Sequence, residues 1–203
     1  MSFPDFYGSV PAIAMRDPLA GFLNAARGGV IVYNYSDAVK VAGHSCVVTA
    51  AAWAMLLAGL SALYGTDLPE RGGLEVQFCD AAEEGTTGVT ASIVQLVTGA
   101  SGASGFHGIG PTARFSRRGL MRFSTAIEGN LGLRRSDTGK GVVVASDVSM
   151  VPMSAELRDL FPRAVAGELD DASLTKFGQL WQDRIRSLLL DHAGDVVSVK
   201  EWI

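Results

Sequence analysis

Cysteine is scarce in this chain: Cys46 and Cys79 are the only two in 203 residues. Two thiols cannot form a disulfide framework or a closed four-cysteine zinc ribbon. Charge is also sparse, at 19% of residues, with a formal balance of −4. A dedicated nucleic-acid binder carries a basic surplus, so no nucleic-acid partner is expected. Serine-nucleophile elbows, H-E-x-x-H helices and paired catalytic carboxylates in a recognisable frame are all missing. The start, Phe3-Pro4-Asp5-Phe6-Tyr7, has neither a basic nor an apolar leader region. The expectation is therefore a cytoplasmic protein with reduced thiols.

Apolar residues, by contrast, are plentiful, at 48%. That is enough for one domain with a real core. No formal charge occurs from Val41 to Thr66, and Val47 to Leu63 is almost wholly apolar. A membrane span needs about 20 apolar residues. This run, however, is rich in alanine, opens on His44 and Ser45, and lacks a basic flank. It reads as a buried central helix, and no membrane partner is expected.

Around it the order of elements is irregular. Asp17-Pro18 caps a short helix that stops at Gly28-Gly29, Val30–Tyr33 reads as a strand, and Ser36-Asp37 caps a helical turn ending at Gly43. The long helix runs from about Ser45 to Tyr64. Residues 73–79 alternate as a strand with Leu74, Val76 and Phe78 on one face, and Val89 to Val97 forms a second apolar helix. The glycine-rich stretch 99–111 reads as a flexible loop. Strands are expected at Leu120–Leu133 and Gly141–Val148, joined by the turn 136–139. A helix capped by Ser154 breaks near Pro162. An amphipathic helix spans 174–190, and a last strand covers 196–202. Without a βαβ rhythm the class is α+β. The expected organisation is an α+β core over residues 1–150, a central helix on a mainly antiparallel sheet, with a helical extension, 151–203, packed on it.

Chemistry concentrates at Gly43-His44-Ser45-Cys46. A helix N-terminus leaves N–H groups unpaired and carries partial positive charge, which makes a thiol there a better metal ligand or nucleophile. His44 can supply a second donor or take a proton nearby. The bland alternative is a buried cysteine beside a polar cap. Cys79, at a strand end before Asp80, Glu83 and Glu84, is a weaker third ligand, with Asp80 as a fourth or supporting group. His107 in the glycine loop, with Arg114 and Arg117, forms a candidate substrate-binding set: the loop a lid, the arginines a clamp for an anion. Arg118 belongs to the same run. His192 reads as a solvated charge near a helix end.

The run Asp37-Ala-Val-Lys-Val-Ala-Gly-His44-Ser-Cys46, followed by an alanine-rich helix, resembles the FmdE family, which takes its name from a component of formylmethanofuran dehydrogenase. Its members open their core with Gly-His-x-Cys at the start of a long helix. The resemblance continues through Val94-Gln95-Leu96-Val97-Thr98-Gly99 and covers roughly residues 15–125. It implies an α+β core, often dimeric, with a metal-associated cysteine site, so a homodimer is expected. Val47-Val48 replaces the usual Pro-Gly, Val89 and Ala100 stand where many members have cysteines, and no cysteine follows Cys79 to make a C-terminal zinc finger. A site built from His44, Cys46 and Cys79 mixes nitrogen and sulfur, which suits zinc first and iron or nickel next.

The leading expectation is an FmdE-like metal-binding protein with an open His/Cys site that admits water or a small-molecule substrate. A metal-independent thiol enzyme, with Cys46 as nucleophile and His44 as base, is the rival. A non-catalytic accessory subunit of an oxidoreductase is the third reading.

Overall fold

The computed structural model describes residues 3–202. The uncharged run becomes one helix, α3 (Val47–Tyr64), wrapped by the rest of the chain: Ala50 through Leu56 are consecutively buried. Long and apolar enough to cross a membrane, it has two thirds of its length, 67%, buried inside the protein. A helix apolar all round needs such a wrapping.

A five-stranded sheet supplies one side of the wrapping. Its strands are β3 (Leu74–Phe78), β4 (Met121–Arg122), β5 (Leu131–Arg135), β6 (Gly141–Ser146) and β7 (Val197–Glu201). They lie in the order β4-β3-β5-β6-β7, antiparallel except for β3 with β4. As expected, Leu74, Val76 and Phe78 point into the core. The fold is α+β.

Further helices and a hairpin close the other sides. Strands β1 (Ile13–Arg16) and β2 (Val30–Tyr33) pair antiparallel around α1 (Pro18–Phe22), which Asp17 caps by accepting the N–H groups of Leu19 and Ala20. Helices α2 (Tyr35–Ala42) and α4 (Thr87–Thr98) pack beside α3. The chain ends with α5 (Ala155–Val165), α6 (Asp171–Arg186), a π turn over Ser187–Asp191, α7 (Ala193–Val196) and β7.

Several local expectations are corrected. Helix α2 starts after Asn34, not at Ser36, because Asp37 Oδ2 reaches back 2.9 Å to the Asn34 N–H. The strand expected over 120–133 splits into β4 and β5, because the chain turns out of the sheet at Ser124, which has φ +54°. Helix α5 runs through Pro162 to Val165. The ring there frees the carbonyl of Arg158, four residues back and exposed to water. The last amphipathic helix begins earlier and loosens into the π turn.

Candidate functional site

Helices α2 and α3 meet at a corner of four residues, and the His-x-Cys lies in it. Gly43 ends α2 with a left-handed φ of +77°, which only glycine adopts freely, and sends the chain into α3. Cys46 is the N-cap residue of α3, one position before the first turn in which sequence placed it. Its carbonyl accepts the first helical bond, from the Ala50 N–H at 3.0 Å. Its side chain caps nothing, so the positive end of an 18-residue helix is left open beside the thiol.

Ser45, between the two candidate ligands, is pinned from several directions. Its hydroxyl lies 2.9 Å from the hydroxyl of fully buried Tyr35. Its carbonyl accepts Trp181 Nε1–H at 2.9 Å and Gln182 Nε2–H at 3.4 Å. Tyr7 in turn donates to Gln182 Oε1 at 3.2 Å. Burial raises both tyrosines above the ordinary phenol range, so both hydroxyls stay protonated throughout physiological pH. The backbone flanking the pair is therefore held by α2, α6 and the N-terminal segment.

His44 is exposed, and its Nδ1–H donates to the Ala42 carbonyl at 2.9 Å. That carbonyl is among the last of α2 and lacks a helical partner. A carbonyl can only accept, so Nδ1 carries a proton and Nε2 is the nitrogen left for another partner. Cys46 Sγ lies 3.7 Å from Thr49 Oγ1, and the Thr49 hydroxyl donates to the His44 carbonyl at 3.3 Å. With its proton committed there, Thr49 receives the Cys46 S–H.

Cys79 stands beyond the end of β3, half-buried. Burial raises its thiol pKa, and the neighbouring Asp80 carboxylate raises it further. Among the described residues no three or more His, Cys, Asp or Glu side chains are grouped to hold one ion. The expected trio of His44, Cys46 and Cys79 is thus not assembled in this structure. His44 and Cys46 share the corner between α2 and α3, the histidine turned to Ala42 O and the thiol to Thr49.

A cavity of about 410 Å³ opens between the N-termini of α3 and α4. Val47, Ala51 and Phe78 give it an apolar side; Asp80, Glu84 and Thr87 give it a polar one. Its lining includes the neighbours of both cysteines but not the cysteines themselves. The threonines at the start of α4, Asn130 before β5 and Ser146 at the end of β6 were not singled out in sequence, because isolated short polar residues at element ends carry no specific signal.

The glycine loop sits elsewhere. It leaves the C-terminal end of α4, whereas Thr86, Thr87 and Thr90 at the N-terminal end line the cavity. Backbone bonds pin it: Arg117 N–H to Phe106 O, Ser101 N–H to Arg117 O, Gly119 N–H to Gly102 O and a mutual pair between Ile109 and Arg114. This is a closed, hydrogen-bonded loop, not the free lid that its composition suggests. His107 is exposed on it, beside Phe106, with ring centroids 5.7 Å apart. Arg114 stacks over Phe115 at 4.4 Å. Arg117 is buried and paired with Asp17 at 2.8 Å, so it is not an exposed clamp. His192 lies 2.9 Å from Asp195 on the surface.

No protein-family model matches the chain, and no curated protein matches it in sequence. Its function has to be argued from these residues.

Proposed function

We propose that this chain is an FmdE-like metal-binding protein in which His44 Nε2 and Cys46 Sγ hold a divalent transition metal, zinc by preference, at an open site. One observation carries the reading: the Nδ1–H bond from His44 to Ala42 O. Metal-bound histidines characteristically donate their other ring N–H to a carbonyl or carboxylate, which fixes the tautomer and the ring. A nitrogen and a sulfur donor suit a borderline-soft ion. They are half of a tetrahedral set, so the other positions fall to water, to a small molecule from the adjoining cavity, or to a second copy of the chain. A metal so bound would supply Lewis acidity and an acidified water. The chain's own share is positional: Ser45 is clamped by Tyr35, Trp181 and Gln182, and holds its two neighbours in place.

The thiol-enzyme reading asks for a hydrogen bond between nucleophile and base. Cys46 is instead engaged with Thr49. Metal content of tag-free protein and zinc titration separate the two. Zinc at a hundred times its Kd would add about 2.7 kcal/mol of stability, raising Tm by roughly 2–4 °C per kcal/mol for a chain of this size. His44→Ala and Cys46→Ser would each abolish that rise. Metal-free protein whose Tm ignores zinc, with Cys46 alkylated rapidly, would instead establish the thiol reading.

A further inference from the structure

At the far end of α4, two guanidiniums share one buried carboxylate. Asp17, only 4% exposed, accepts from Arg71 Nη1 at 2.9 Å and from Arg117 Nη2 at 2.8 Å. Arg117 is 7% exposed. The nearby acid, Glu70, is taken by Arg16 at 2.7 Å. The cluster of Arg16, Arg71 and Arg117 against Asp17 and Glu70 therefore keeps one positive charge in excess. Arg118, whose Nε–H donates to Gly105 O at 3.4 Å, adds a second at the rim. Uncompensated charge is costly inside a protein. A chain with a net charge of −4 has here concentrated the opposite sign.

A cavity of about 280 Å³ opens onto this charge, lined by Arg71, Arg117, Ser101, Ser104, Gln95 and Phe106. Ser101 is only 4% exposed and lines the cavity. Arg117 spends one N–H on Asp17 and one on the Arg71 carbonyl. Its Nε–H and a second hydrogen on each terminal nitrogen are left over. Arg71 spends its Nε–H and one Nη2–H on the Leu96 carbonyl and one Nη1–H on Asp17, and keeps one hydrogen on each terminal nitrogen. These remaining guanidinium hydrogens beside the Ser101 hydroxyl match the several oxygens of a tetrahedral oxyanion. The volume falls just below the ligand-pocket range, about 300–1,000 Å³. That admits a phosphate with a short body and leaves no room for a nucleotide.

We propose that this cavity is a phosphate-binding site, formed by Arg71, Arg117 and Ser101, for inorganic phosphate or a small phosphate monoester. It is independent of the His44–Cys46 corner. The pinned glycine loop supplies two of its walls, through Ser101 and Ser104, and Asp17 holds the two guanidiniums apart in fixed orientation.

Calorimetric titration of the whole chain with inorganic phosphate, glycerol 3-phosphate and succinate, at ionic strength matched with chloride, tests it. Saturable one-site binding of either phosphate compound is expected, and their order of affinity tells whether free phosphate or a monoester is the natural occupant. Ser104→Glu places a carboxylate at the exposed mouth without touching the core, and should weaken that binding at least about tenfold while the urea midpoint holds. His44→Ala should leave it unchanged. Absence of saturable binding with Kd below about 1 mM, tighter binding of succinate than of both phosphates, or full binding by Ser104→Glu would each overturn the proposal.

Discussion

Cys79 and Cys46 are both half-buried thiols, yet their surroundings differ in kind. Burial first, and then the Asp80 carboxylate beside it, push the Cys79 pKa up, so less of it is thiolate at any working pH. Iodoacetamide at pH 8 followed by mass spectrometry should therefore find Cys79 slower than a free cysteine, and Asp80→Asn should speed it severalfold. Unchanged kinetics in that variant would deny Asp80 the role. Gly72 shows the same dependence on one neighbour. Its φ is +84°, and a Cβ there would overlap the guanidinium of Arg117, which lies across it to reach the Arg71 carbonyl. Gly72→Ala should push Arg117 off Asp17 and cost about 3–5 kcal/mol, the range for breaking a buried ion pair, read as a lower urea midpoint. The first dependence was legible in sequence, since Cys79 and Asp80 are adjacent; the second was not. Nothing local in Arg71-Gly72-Gly73 says which side chain will lie over the glycine.

Asp17 raises the argument to the level of elements. Its carboxylate caps α1 through two backbone N–H groups and also ties in Arg71, beyond the central helix, and Arg117, beyond the glycine loop. Burial by itself would raise its pKa, but the Ala20 N–H and the two guanidiniums outweigh it and bring the pKa below the ordinary carboxylate value. A carboxyl depressed on folding adds stability that is fully present above its unfolded pKa, about 3.9, and that fades as pH falls through the folded one. Wild type should accordingly lose stability below about pH 4. Asp17→Asn should be less stable at neutral pH and flatter across the acid range, as followed by urea unfolding at a series of pH values. An equally steep acid loss in the variant would place the titration elsewhere. The cap itself was legible, because Asp-Pro before an apolar turn is a local signal. The ion pairs were not, since the partners lie 54 and 100 residues away. Helix α3 was legible for the opposite reason: an uncharged run of that length has few places to go but the core. The long strand expected over 120–133 failed because the backbone turns away after Arg122 and re-enters the sheet only at Leu131, past Glu128-Gly129-Asn130.

For the whole molecule, the C-terminal quarter is more than an extension packed on a finished core. Strand β7 pairs with β6 along its full length, from Val142 with Glu201 to Ser146 with Val197, and α6 sends Trp181 and Gln182 to the carbonyl of Ser45. Sequence placed this segment beside the core but gave no reason to connect Trp181, 136 residues on, with the His-x-Cys corner. Removing residues 151–203 would bare β6 as an unpaired strand and take away the buried Ile185, Leu188, Leu189 and Val196, so the truncated chain should aggregate. A finer test keeps the fold. Trp181→Phe retains an aromatic ring stacked near Phe161 and loses only the indole N–H to Ser45. A hydrogen bond of this kind contributes about 0.5–1.5 kcal/mol, so the urea midpoint should move little. Trp181 acts through Ser45 as a positioning residue, and supporting groups of this kind typically change metal affinity by about 10–100-fold. If His44 and Cys46 hold zinc as proposed, Trp181→Phe should weaken zinc binding by about tenfold with little loss of stability, and Tyr35→Phe, which removes the hydroxyl contact to the same serine, should act in the same direction. Zinc affinity that tracks global stability across both variants would show that the clamp on Ser45 serves the fold alone.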